Sequence, residues 1–393
     1  MVVIITMPKA SRQSKKVNYL MINRTVSQQI IGCIGSGKAI TIMGARQVGK
    51  STLLKMLFGQ RDDVLWLSGD DLDVQTLFGQ ISATRLRAII GDKKIVVVDE
   101  AQRITDVGIR LKLITDQIPN VQLIATGSSS FELADKVNEP LTGRKREFRM
   151  FPLTFREMLS HTSLLEELRM IPHRMLFGYY PEVVSNPGQE RAILKELTDS
   201  YLYRDILSLD KVAKSDKLIS LLKALAFQIG SQVSYNEVSQ LVGLDPKTVE
   251  RYVDILEKSY VLFRLNSFSR NLRNELKTTR KIYFWDLGVR NALIGNFAPL
   301  ENRTDVGELW ENYAIAERMK QNSYRGSFAS SYFWRTKSQQ EIDYIEEEDG
   351  MLRAYEFKWN ARKAGVKCPD SFLLAYPNAT YQVITPENIE EWL

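Results

Sequence analysis

Cysteine and histidine are nearly absent from this chain of 393 residues, which has two of each. Cys33 and Cys368 alone make no disulfide framework. With only His161 and His173 to join them, a Cys/His zinc site is excluded. Long apolar runs are missing too: no segment approaches the roughly 18 apolar residues of a membrane span. Val2-Val3-Ile4-Ile5 is too short for the apolar core of a signal peptide, and the basic residues follow it instead of preceding it. The expectation is a cytoplasmic protein with no membrane partner. Nor is there a large excess of one charge. A net charge of +6 and a pI near 9.0 permit nucleic-acid binding without requiring it. What is present is a globular composition, 44% hydrophobic and 25% charged. The length suggests roughly two to four domains.

The most informative stretch is Gly44-Ala45-Arg46-Gln47-Val48-Gly49-Lys50-Ser51, followed by Thr52. It fits G-x-x-x-x-G-K-[ST], a phosphate-binding P-loop. Ala39 to Met43 reads as a strand before it, and Ser51 to Phe58 as a helix after it. The glycines let the backbone curl so that successive N–H groups point at phosphate oxygens, and the helix N-terminus adds partial positive charge. In this reading Lys50 reaches the β- and γ-phosphates of ATP, and the Ser51 hydroxyl ligates Mg2+.

A second strand is expected at Val64-Leu65-Trp66-Leu67. Lys94 to Val98 is an apolar run ending in Asp99-Glu100, which reads as a buried parallel strand with its polar end at the ligand edge of the sheet. This is a Walker B pattern. Asp99 would hold Mg2+, and Glu100 would act as general base toward the attacking water. Val121 to Thr126 is a further strand. Thr126 and Ser128 either sense the γ-phosphate or cap the next helix. Arg144, in Thr142-Gly143-Arg144-Lys145-Arg146, is either an arginine finger or a solvated member of a basic run.

The order of these motifs resembles that of the prokaryotic AAA-type P-loop ATPases with an additional catalytic glutamate, and more narrowly those fused to a C-terminal domain of unknown function. Beyond the motifs above, the resemblance is carried by Phe151-Pro152-Leu153-Thr154-Phe155-Arg156-Glu157, Gly178-Tyr179-Tyr180-Pro181-Glu182-Val183 and Tyr201-Leu202-Tyr203-Arg204-Asp205-Ile206. Tyr283-Phe284-Trp285-Asp286-Leu287-Gly288 and Gly307-Glu308-Leu309-Trp310-Glu311-Asn312 complete it. It implies a parallel sheet ordered 5-1-4-3-2, a helical linker and an accessory C-terminal half.

Ser234 to Leu265 reads as a helix-turn-helix with a following wing strand. Gly243 makes the turn, Asp245 caps, and Pro246 takes the first helical position. Its outward face, with Lys247, Thr248, Glu250, Arg251 and Asp254, is less basic than a DNA-reading helix would be. A structural lid and a DNA contact both remain open.

Glu341 to Glu348, Asp349-Gly350, and Met351 to Lys358 read as a hairpin, because Asp-Gly is a preferred two-residue turn. Asp343 would then face Glu356, and Glu341 would face Lys358. Facing carboxylates require a cation between them, and a second divalent metal would serve. The acid, hairpin and Glu-x-Lys resemble the PD-(D/E)xK nuclease superfamily. The resemblance implies a metal site from Asp343, Glu356 and Lys358, with Glu311 supplying a further acid. The other reading is a solvated hairpin with Glu341–Lys358 and Glu346–Arg353 pairs.

The expected architecture is therefore α/β. It comprises a basic arm (1–19), a P-loop NTPase domain with a parallel sheet (20–160), a helical linker with winged helix (161–270) and a C-terminal α/β nuclease-like domain (271–393). The expected activity is Mg-dependent ATP hydrolysis by Lys50, Glu100 and Arg144. DNA, a protein partner or further copies of the chain are the candidate partners. An ATP-gated nuclease and a slow nucleotide-dependent switch are the alternatives.

Overall fold

Alternating strand and helix signals before residue 150, and strand runs after 230, build two separate sheets. The computed structural model describes residues 22–79, 82–127, 141–202, 215–269, 279–363 and 365–393. The expected N-terminal arm and Ser128 lie outside these residues.

The first sheet has five strands: β1 (Ala39–Met43), β2 (Val64–Ser68), β3 (Ile95–Asp99), β4 (Gln122–Gly127) and β5 (Lys145–Arg149). Their order is β2-β3-β4-β1-β5, which is 5-1-4-3-2 read from the other edge, as expected. All four pairings are parallel. β-Branched residues at Ile95, Val96, Val97 and Val98 are fully buried, as a central strand covered on both faces demands. Helices Lys50–Phe58, Leu72–Gly79, Ala83–Ile90 and Val107–Gln117 supply that cover.

Residues 155–202 and 215–227 carry a run of helices. The first, Phe155–His161, begins with a capping box, in which Thr154 accepts from Glu157 N and Glu157 accepts from Thr154 N. Two of the quoted motifs meet here. A Cβ at Gly178 would lie 2.1 Å from Asp286 Oδ1, and one at Gly288 would lie 2.1 Å from Phe177 O. Buried Asp286 accepts from Tyr179 N (2.7 Å) and Val289 N (3.1 Å). Both motifs form a packing joint.

The second sheet has seven strands: β6 (Gln232–Val233), β7 (Leu262–Ser267), β8 (Arg280–Phe284), β9 (Ser330–Arg335), β10 (Glu341–Glu348), β11 (Met351–Phe357) and β12 (Thr380–Ile384). Their order is β12-β11-β10-β9-β7-β8-β6. Helix Tyr235–Val242 ends at Gly243 in the left-handed region, and helix Pro246–Lys258 starts from Asp245, which accepts from Thr248 N. β7 follows and pairs with both β8 and β9. The helix-turn-helix and the C-terminal strands thus share one sheet, which spans the expected boundary near residue 270.

The 20-residue helix Val306–Arg325 packs against β8 and β11 of this sheet and buries Leu309, Trp310, Tyr313 and Ala314. One buried apolar cluster runs from Ile22 through β1 and this helix to Leu393. A smaller one, with Trp334, Ile342, Ile345 and Phe372, belongs to the second sheet.

Candidate functional site

At the carboxyl end of β1 the chain enters the glycine loop. Gly44 has no room for a side chain, since a Cβ there would lie 2.0 Å from Met150 O. Gln47 and Gly49 both have positive φ, 59° and 95°. That left-handed geometry curls the loop into helix Lys50–Phe58. Ala45 and Val48 are buried beneath it, while Gln47 and Thr52 are exposed. Lys50 is buried, and its Nζ donates to Gly44 O (2.9 Å) and Ala45 O (2.8 Å). The ammonium therefore lies over the loop that phosphates would enter.

Asp99 and Glu100 stand at the same edge of the sheet. Thr126 Oγ1, on neighbouring β4, donates to Asp99 Oδ1 at 2.5 Å and accepts from Glu100 N at 3.0 Å. Thr126 thus orients the acidic strand end. Glu100 has φ 49° and its Oε2 accepts from Gln102 Nε2 at 2.5 Å. Ser51 lies in the first turn of the loop helix. Its hydroxyl and the Asp99 carboxylate are hard oxygen donors, and Mg2+ needs only one or two such protein ligands beside phosphates and water. The residues present fit Mg-ATP.

Arg144 is placed elsewhere. β5 runs parallel to β1, with Ala39 opposite Lys145 and Met43 opposite Arg149. Arg144 precedes β5, at the end of the sheet remote from Gly44, about 16 Å away along a five-residue strand. Its Nε is paired with Asp116 Oδ1 at 2.8 Å. Of the two readings of Arg144, strand direction disfavours a finger acting on the loop of its own subunit, and the pair with Asp116 fits a solvated member of the basic run.

Sequence reasoning missed Arg24. This buried guanidinium donates to Val48 O in the glycine loop (2.7 Å), Phe151 O (2.6 Å), Glu157 Oε1 (3.1 Å) and Tyr324 Oη (3.4 Å). Tyr324 closes the helix Val306–Arg325 and also accepts from Phe151 N at 3.2 Å. Glu317, one face up that helix, accepts from Phe155 N at 2.7 Å. The loop is thereby joined to the C-terminal body by buried hydrogen bonds. No local pattern marks a lone arginine whose partners are up to 300 positions away.

The C-terminal candidates do converge, on the second sheet. Asp349 and Gly350 both have positive φ, as a two-residue hairpin turn requires. The ladder pairs Tyr344 with Tyr355 and Glu348 with Met351, the expected register. One step further, Asp343 Oδ2 accepts from Phe357 N at 2.9 Å, and Lys358 Nζ bonds Glu356 Oε1 at 2.6 Å. The expected Glu341–Lys358 pair is replaced. Glu341 bonds Arg335 (3.1 Å) and Lys281 (2.5 Å). Glu346 is held mainly by Arg318 at 2.8 Å.

Lys281 was the second omission. It projects from β8 fully buried, and its Nζ joins Glu341 to Glu311 Oε1 at 3.0 Å. Tyr283, two residues on and so on the same face, donates to Glu311 Oε1 at 2.5 Å. Burial opposes the charge of Lys281, but Glu311, Asp343 and Glu341 raise its pKa above the usual lysine value. Burial, then Glu311 and Glu356, push Asp343 well above the usual carboxylate range. Among the described residues, no three acidic, His or Cys side chains are grouped to hold a metal. The signal for Lys281 was a lysine inside the apolar strand Ile282-Tyr283-Phe284, which is unusual unless it is paired.

Residues 36–159 match the family described as AAA domain. Residues 168–300 and 306–390 match two families each described as a domain of unknown function. An uncharacterized protein of Methanocaldococcus jannaschii is 21% identical over 93% of this chain and 85% of its own length. One from Haemophilus influenzae is 26% identical over 50% of this chain, and the match spans about half of that relative (53%). Among solved structures, a Walker-type ATPase of Pyrococcus abyssi is 16% identical, covering 70% of this chain and 96% of its own, with a TM-score of 0.49. No helix among the described residues is long and apolar enough to cross a membrane. The glycine loop, the strand order and the family match agree over residues 36–159: this part of the chain has a P-loop and a parallel sheet and is similar to the family described as AAA domain.

Proposed function

We propose that the protein binds Mg-ATP at Gly44 to Thr52 and hydrolyses it. The observation that carries this is the meeting of Lys50, Ser51, Asp99 and Glu100 at one edge of the first sheet, with Thr126 fixing the two acids. Lys50 and the loop N–H groups bind and orient the β- and γ-phosphates. Ser51 and Asp99 would hold Mg2+, which when bound would supply neutralising positive charge to the phosphates. Glu100 takes the proton of the attacking water, and Gln102, bonded to its Oε2, aims it. Glu100→Gln should keep ATP binding while lowering turnover by about 10^2- to 10^4-fold. Phosphate release and equilibrium nucleotide binding measure the two effects. Unchanged turnover would remove Glu100 as the base.

The output belongs to the C-terminal body, which Arg24 and Tyr324 tie to the loop. The winged helix serves there as a structural element. Its outward acids Glu250 and Asp254 sit beside its basic groups and pair with two of the arginines next to it: Arg264 bonds Asp254 (2.7 Å) and Glu257, and Arg280 bonds Glu250 (3.5 Å). Paired charges release few counter-ions on meeting phosphates, and the acids Glu250 and Asp254 on the outward face repel them, so we read this face as a weak DNA reader. A protein partner is therefore the favoured effector. ATPase rates with and without duplex and single-stranded DNA test this. Stimulation by DNA would overturn it in favour of a DNA-processing motor.

A further inference from the structure

The hairpin β10–β11 brings Asp343 and Glu356 to one face of the second sheet, with Glu341 beside them and Glu311 reaching in from helix Val306–Arg325. Such a cluster of acids calls for a cation. We propose that Lys281 is that cation: its ammonium permanently takes the place of a divalent metal, so the C-terminal domain performs no metal-dependent cleavage. This goes beyond the ATPase reading and stands independently of it.

Three observations carry the proposal. First, every acid of the cluster has a partner. Glu311 has Lys281 and Tyr283, Glu341 has Lys281 and Arg335, Glu356 has Lys358, and Asp343 has the Phe357 N–H. A metal would have to take its ligands from these bonds. Second, Lys281 cannot swing away. It lies on β8, between β7 and β6, is only 1% exposed, and its ammonium sits 5.5 Å from the Phe333 ring. Third, the exchange is unfavourable for the incoming ion. Mg2+ gives up its water reluctantly, and an expelled ammonium would remain buried without a counter-charge. The residues present therefore do not fit a resident divalent ion.

The experiment is a Mn2+ titration of the nucleotide-free full chain, with bound ion read from the loss of the free Mn2+ electron-spin resonance signal. Wild type and Asp343→Asn should give superimposable curves, because any weak binding at Ser51 and Asp99 is common to both. A site filled in wild type and lost in Asp343→Asn overturns the proposal. Lys281→Met uncovers the acids and should add one Mn2+ site per chain, at least about tenfold tighter than any in wild type, which Asp343→Asn then removes. A folded Lys281→Met protein with no added site also overturns it. Should that variant fail to fold, the comparison of wild type with Asp343→Asn decides alone. Plasmid nicking in Mn2+ gives an independent reading: equal for wild type and Asp343→Ala if the lysine holds the place, and selectively lost in Asp343→Ala if it does not.

Discussion

Two buried lysines sit at the carboxyl edges or faces of the two sheets, and their partners set them apart. Lys50 donates to the neutral carbonyls of Gly44 and Ala45. Those bonds hold the ammonium over the glycine loop, where the proposed function has it meet phosphate. Lys281 bonds the carboxylates of Glu311 and Glu341. Its charge is spent inside the protein, and an incoming anion gains little. The same side chain, buried in both places, is a phosphate receptor in the proposed function of one sheet and a brace in the other. The lesson concerns the residues opposite a lysine more than the lysine itself.

The contrast can be broken by exchanging the readouts. Lys281→Ala leaves carboxylates buried without their partner and should cost about 3–5 kcal/mol of stability, measured by chemical denaturation. It should alter turnover only as far as it unfolds the protein. Lys50→Ala should do the reverse. Removing one preorganised donor from the transferring phosphate lowers turnover by about 10^2- to 10^3-fold, while stability changes far less. A Lys50→Ala protein as unstable as Lys281→Ala would erase the distinction.

A third ion cluster sharpens it, because this one titrates. Asp305, at the start of helix Val306–Arg325, bonds Arg303 (2.8 Å) and Arg290 (2.7 Å). Burial raises its pKa, but the hydrogen bonds from Arg303 and Arg290 outweigh burial and hold it at about 2. A depressed carboxylate contributes stability above its unfolded pKa of about 3.9 and loses it as pH falls toward the folded value. Asp305→Asn should therefore cost about 2 kcal/mol at neutral pH, and the two stability curves should converge between about pH 4 and pH 2. A constant difference across that window would show that packing, and not charge, is responsible. The smallest effect is expected at Arg144. Because it stands at the far end of β5 and pairs with Asp116, Arg144→Ala should leave the turnover of dilute, monomeric protein within about twofold. A large loss would point to a subunit contact that brings Arg144 to a neighbour's nucleotide.

What the sequence disclosed follows the reach of each interaction. Gly44 to Ser51, Asp99-Glu100 and the Asp349-Gly350 turn are local, since spacing and turn chemistry act over a few residues. The sheet order came through the family resemblance, and the hairpin register came through its turn. The strand direction that separates Arg144 from the loop could not be read from the motif itself, because proximity in sequence to a basic run says nothing of which end of a sheet it occupies. The roles of Arg24, Tyr324 and Lys281 could not be read for a related reason, although the lysine in an apolar strand was itself a signal. Each acquires its meaning from partners on other elements: Val48 and Tyr324 for Arg24, Glu311 and Glu341 for Lys281. Facing acids at the hairpin correctly announced a missing cation, but one sequence could not say that β8 would deliver it.

The buried bonds between helix Val306–Arg325 and the first sheet also bear on modularity. Three family matches divide the chain near residues 160 and 300. Yet Phe155 N relies on Glu317, Phe151 N on Tyr324, and Arg156 on Leu393 O. A fragment ending at residue 160 would expose these donors and strand Arg24 with part of its shell. In this molecule the P-loop part is finished only by the last hundred residues, and it is not a portable engine.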